Sequence, residues 1–103
     1  MTSPRYIFKL YVVGQTVRAR QAIANIRQIC QEKLNDQCEC IIIDVLEQPQ
    51  LAEADKVIVT PTLIKVSPPP SRRLLGDLSD LDRVIDALGL YLDFVPSTNG
   101  EEL

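Results

Sequence analysis

Hydrophobic and polar positions form two different patterns along the first half of the chain. Tyr6-Ile-Phe-Lys-Leu-Tyr-Val-Val13 is a β-branched and aromatic run closed by Gly14, which predicts a central strand. A helical period then takes over. Behind Thr16, a plausible N-cap, Ile23, Ile26, Ile29, Cys30 and Leu34 recur at helical spacing, which predicts an amphipathic helix over 17–34. Arg18, Arg20 and Arg27 are available to its polar side. Asn35-Asp-Gln37 breaks it, and Cys38 to Leu46 reads as a second strand. Its continuous run Cys40-Ile-Ile-Ile43 has the pattern of a strand buried on both faces. Strand, helix and strand together read as a βαβ unit.

The second half is patterned in shorter pieces. Pro49 to Lys56 can form a short helix with proline in its first turn. Val57-Ile-Val59, Thr62 to Val66 and Arg72 to Leu75 are strand-like, and Pro68-Pro-Pro70 forces a turn before the last of them. Ser79 with Asp82 resembles a capping box, after which Leu81, Val84, Ile85, Leu88 and Leu92 fall on one helical face. Residues 1–95 read as one domain and 96–103 as a polar, flexible tail. The order β-α-β-α-β-β-α is that of an α/β, thioredoxin-like domain. Thr60-Pro61-Thr62 stands just before the third strand, where that fold usually carries a cis-proline, so Pro61 is the candidate for it.

A chain of 103 residues, 46% hydrophobic and 24% charged, suits one globular core and excludes wholesale disorder. No apolar run approaches the roughly 18 residues that span a bilayer. The N-terminus enters the first strand without a signal peptide's charged, apolar and cleavage regions, so a cytoplasmic, membrane-free protein is expected. The net charge of −3 is unevenly spread: residues 1–36 carry six basic and two acidic side chains, and residues 76–103 carry one and seven. Such a bipolar chain suits electrostatic docking to a protein, or is a solvated surface whose charges segregate. Nucleic acid is disfavoured, because no dense basic stripe is interleaved with aromatics.

Chemistry is scarce. Cys30, Cys38 and Cys40 are an odd set, without histidine anywhere in the chain, and read as small buried hydrophobes rather than a disulfide framework or a zinc site. Thiol-disulfide exchange on this fold needs a thiolate at the start of the first helix, yet Gly14-Gln-Thr-Val17 contains no sulfur. A histidine-dependent triad cannot form, and the four glycines are too scattered for a phosphate loop. Asp77 and Asp80 flank a helix start, where carboxylates are favoured for structural reasons. Neither an enzyme nor a cofactor is expected. What remains is a cationic surface: Lys65, Arg72 and Arg73 flank the triple proline and Lys56 precedes the same region. These can meet acidic side chains of a partner, or they can be edge-strand charges that discourage aggregation.

Several stretches resemble the KaiB family of circadian clock proteins. They are Lys9-Leu-Tyr-Val-Val-Gly14, Ile43-Asp-Val-Leu46, Pro49-Gln-Leu-Ala-Glu53, Asp55-Lys56, Thr60-Pro-Thr-Leu63, Pro68-Pro-Pro70, and Arg72-Arg73 to Gly76-Asp-Leu-Ser79. The likeness runs from about residue 6 to 92. It implies an adaptor without catalysis that binds a KaiC-type ring ATPase and kinase, holds KaiA away from it, and recruits an output histidine kinase. It also implies two folds, the thioredoxin-like binding form and a resting form ordered β-α-β-β-α-α-β that self-associates, as a dimer or tetramer. The same family includes proteins for which a stress or other interaction role outside the clock is the alternative.

Three departures stand out. Thr16-Val-Arg-Ala-Arg-Gln21 replaces the family's usual start of the first helix. Ile41 replaces a lysine in a region linked to KaiA capture, which argues against KaiA binding. Ala87-Leu88-Gly89 replaces Gly-Leu-Asp, and alanine is better than glycine inside a helix by roughly 1 kcal/mol. Ala87 should tilt the protein toward the thioredoxin-like form, with Gly89 partly opposing it. Together these changes describe a divergent paralogue.

Overall fold

The computed structural model describes residues 6–89. The tail expected over 96–103 and the helical position expected at Leu92 lie outside them. Strand β1 (Tyr6–Val12) leads through Gly14, in a left-handed turn, to helix α1 (Val17–Lys33). Thr16 is the N-cap, its hydroxyl accepting from the Ala19 N–H at 3.1 Å. Asn35 and Asp36 then turn the chain in left-handed conformation (φ 52° and 59°), which these two residue types tolerate best after glycine. The Asp36 N–H donates back to the Cys30 carbonyl at 2.8 Å, and β2 (Cys38–Asp44) begins two residues on. Helix α2 (Pro49–Ala54), β3 (Thr62–Ser67), β4 (Arg72–Leu75) and α3 (Leu81–Leu88) complete the order β-α-β-α-β-β-α.

One four-stranded sheet has the order β2-β1-β3-β4. β1 is central, parallel to β2 with Tyr6 opposite Cys38, and antiparallel to β3 with Tyr11 opposite Thr62. β4 lies antiparallel to β3. Alternate residues of each strand face opposite layers. Tyr6, Phe8, Leu10 and Val12 pack with Leu63 and Leu74 against α1 (Ala19, Ala22, Ile26, Ile29) and α3 (Val84, Leu88). On the other face Tyr11, Ile43 and Ile64 form a smaller cluster with Ala52 of α2, helped by Val45 and Val57.

Several sequence expectations change. The isoleucine run of β2 is not buried on both faces: β2 is an edge strand, and Ile41 and Ile42 remain 40% and 37% exposed. Val57-Ile-Val59 is a loop rather than a strand, because both edges of β3 are already taken by β1 and β4. Helix α2 stops at Ala54, with Lys56 in left-handed conformation (φ 56°). The cap of α3 is Asp80 rather than Ser79, its carboxylate accepting from the Arg83 N–H at 3.2 Å. Gly89 does not oppose α3. It terminates the helix at φ 63°, the left-handed position that glycine occupies at no steric cost. The cysteines are half-buried rather than core residues, and Cys30 and Cys38 are joined in a disulfide. The left-handed turn between them folds the end of α1 against the start of β2 and brings their Cα atoms to 6.0 Å.

Candidate functional site

The sequence-derived cations do not form one surface. Adjacent strand residues point to opposite faces, so Arg72 and Arg73 part company at once. Arg72 sits opposite Lys65 on the α1/α3 side, while Arg73 sits opposite Ile64 on the α2 side. Lys65 is only 2% exposed, on the Leu63 side of β3. Its ammonium reaches the C-terminal end of α3, within 3.9 Å of where a Cβ on Gly89 would stand. Burial first, and the Arg72 cation second, push the Lys65 pKa below the usual lysine range. Ala87 is exposed on the last turn of α3.

Lys56 and Arg73 do come together. The Arg73 guanidinium donates to the carbonyls of Asp55 (2.7 Å) and Lys56 (3.3 Å), satisfying the end of α2. Beside them a concavity of about 270 Å³ is lined by Lys56, Ile58, Val59, Thr62, Arg73 and Leu75. Ile58 is 92% exposed, and Val59 and Leu75 are exposed beside it. An apolar floor rimmed by two cations can take an apolar side chain of a partner and meet its flanking carboxylates.

A polar knot that sequence reasoning missed holds this region to the sheet. The Asp55 carboxylate accepts from the Lys9 ammonium at 3.1 Å and from the Tyr11 hydroxyl, which also donates to the Leu51 carbonyl at 3.1 Å. Burial, then the Asp55 bond and charge, push Tyr11 up to about 12. The Tyr11 hydroxyl and then Lys9 hold the Asp55 carboxyl below the usual carboxylate range, against some desolvation. No local spacing joins Lys9 to Asp55. The one signal was the polar lysine and phenol alternating into the otherwise apolar β1.

At the other end of the sheet from Cys38, Val13, Thr16, Val17, Arg18, Ala19, Thr60 and Pro61 line a second concavity of about 270 Å³. The Thr60–Pro61 peptide is cis. No sulfur lines this concavity, which lies at the start of α1 where a thiol-exchange enzyme of this fold needs one. Among the described residues no helix is long and apolar enough to cross a membrane.

Comparison with known proteins places these features. A family model described as the KaiB domain matches residues 9–90. The circadian clock protein KaiB3 of Synechocystis sp. is 54% identical over 96 residues, covering 93% of this chain and 90% of that protein. A circadian clock oscillator protein KaiB of Prochlorococcus marinus is 50% identical over 93 residues, covering 88% and 78%. Among solved structures, the N-terminal domain of Synechococcus elongatus SasA matches with a TM-score of 0.69 at 25% identity, covering 86% and 87%. Chloroplastic thioredoxin z, at 17% identity, shares the fold with a TM-score of 0.67 over 84% of this chain and 77% of that one. The fold is thioredoxin-like, and the chain belongs to the KaiB family of circadian clock proteins.

Proposed function

We propose that this protein is a cytoplasmic, non-catalytic clock adaptor that docks on a KaiC-type ring ATPase through the α2 side of its sheet. The observation that carries the reading is the exposed apolar floor of Ile58, Val59 and Leu75 flanked by Lys56 and Arg73. Arg72 and Lys65 are on the other face and have no part in this contact. The likeness to the SasA domain supports a histidine kinase as a competing or co-recruited partner. The exposed Ile41 on edge strand β2 argues against KaiA capture there.

The experiment is gel filtration of the full chain after long incubation with KaiC-type ATPases of its own genome. Co-elution is expected with one of them, lost in Lys56→Glu plus Arg73→Glu and retained in Arg72→Glu. Absence of co-elution with every such ATPase would favour an interaction role outside the clock. The family's second fold enters the same reading. The helical Ala87 and the left-handed Gly89 both favour the form seen here. An Ala87→Gly variant should therefore show added NMR resonances of a β-α-β-β-α-α-β resting form, and an unchanged spectrum would sink that part.

A further inference from the structure

The Cys30–Cys38 bond stands far from the concavity at Pro61, because Cys38 faces Tyr6 at the opposite end of β1. It fastens the last turns of α1 to the first residue of β2. That strand has a neighbour on one side only, and its start is otherwise held by the β1 ladder and the Tyr6 N–H donating to the Gln37 carbonyl at 3.0 Å. Both cysteines are half-buried, packed on the edge of the core rather than sealed in it. In the cytoplasm, the location proposed above on which this inference rests, a disulfide is usually transient and either catalytic or redox-sensing.

We propose that Cys30 and Cys38 are a reversible thiol–disulfide switch, exchanged with a glutathione-type couple, whose oxidised form clamps the start of edge strand β2 to α1. One glutathione thiolate attacks a sulfur of the pair, forming a mixed disulfide and releasing a protein thiolate that takes up a proton. A second glutathione thiolate attacks the glutathione sulfur of that mixed disulfide. The second protein sulfur leaves as a thiolate and is protonated, and glutathione disulfide forms. Two electrons pass to the protein pair from two glutathione thiols, and the reverse sequence restores the clamp. Cys40, two residues along the same face, does not compete: burial pushes its thiol up to about 11, so it stays protonated.

The test equilibrates the full chain carrying Cys40→Ser in buffers graded from reduced to oxidised glutathione, traps thiols with a maleimide polymer, and follows backbone hydrogen exchange by mass spectrometry. Two thiols should appear together in one reversible transition, with exchange over residues 38–41 several-fold faster on the reduced side. Cys30→Ser in the same background should show the fast β2 exchange of the reduced form in every buffer. The proposal is overturned if both thiols stay free even in oxidised glutathione, if the pairing is between molecules, or if the transition leaves exchange in β2 unchanged.

Discussion

The two faces of the sheet are held by different means. Toward α1 and α3 the packing is a continuous apolar layer in which Phe8, Leu10, Ile26, Leu63 and Leu88 have no exposed surface. Toward α2 a six-residue helix covers only Tyr11, Ile43 and Ile64, and the polar knot of Lys9, Tyr11 and Asp55 with the Arg73 cap does the rest. Apolar burial is non-directional and strong, whereas a hydrogen-bonded knot fixes position at a modest net gain. The first face therefore supplies most of the stability, and the second presents a defined but loosely covered surface to a partner.

The sharpest way to break this contrast is Ile26→Ala. It should cost about 2–5 kcal/mol in chemical denaturation, as buried large-to-small changes do. A cost near zero would mean that the α1 face is not the main source of stability. Asp55→Ala comes next, at about 1–3 kcal/mol, because it removes the acceptor that Lys9 and Tyr11 share. The loss should depend on pH. Tyr11, raised above its ordinary value of 10.0, contributes fully below pH 10 and loses its share as pH rises toward about 12. Asp55, lowered, contributes above its ordinary value of 3.8 and loses its share as pH falls through its folded value. The gap between wild type and variant should be widest in between and narrow at both ends. A gap constant with pH would show that the knot does not act through its charges.

The smallest expected change has the opposite sign. Lys65 is the one buried cation of the apolar face, with no ion-pair partner among the described residues. Lys65→Met should stabilise by about 1–2 kcal/mol at neutral pH, since removing a desolvated charge favours the fold. Lowering of its pKa means that the native state holds the proton less well than the unfolded chain does. Wild-type stability then rises as pH climbs toward 10.5, and the advantage of methionine shrinks. A destabilised variant would reveal that the ammonium is held by contacts that outweigh its burial.

The order of elements was legible because each half carries a local signal. A β-branched and aromatic run closed by Gly14 marks β1, helical spacing behind Thr16 marks α1, and prolines bracket β3 and precede β4. Which face each residue joins was legible only in principle. Alternation alone separates Arg72 from Arg73, yet their adjacency in sequence reads as a cluster. Edge position was not legible for Ile41 and Ile42, since an apolar run looks the same in a central strand. The pairing of Cys30 with Cys38 depends on two left-handed residues between them, and that of Lys9 with Asp55 on a contact across the whole βαβ unit.

Strand β1 has one consequence beyond packing. It meets β2 through a crossover that closes within the first 44 residues, and it meets β3 only when Thr62 and its successors come back to the sheet. The β1–β3 ladder is thus the seam of the molecule. On one side lies a βαβ unit with a helix, a ladder and a register of its own. On the other lies a segment joined to it by the β1–β3 ladder, by the apolar side chains of Leu63, Leu74, Val84 and Leu88, and by the Asp55 knot, so that its departure would strip one face of α1 while leaving the unit's own ladder paired.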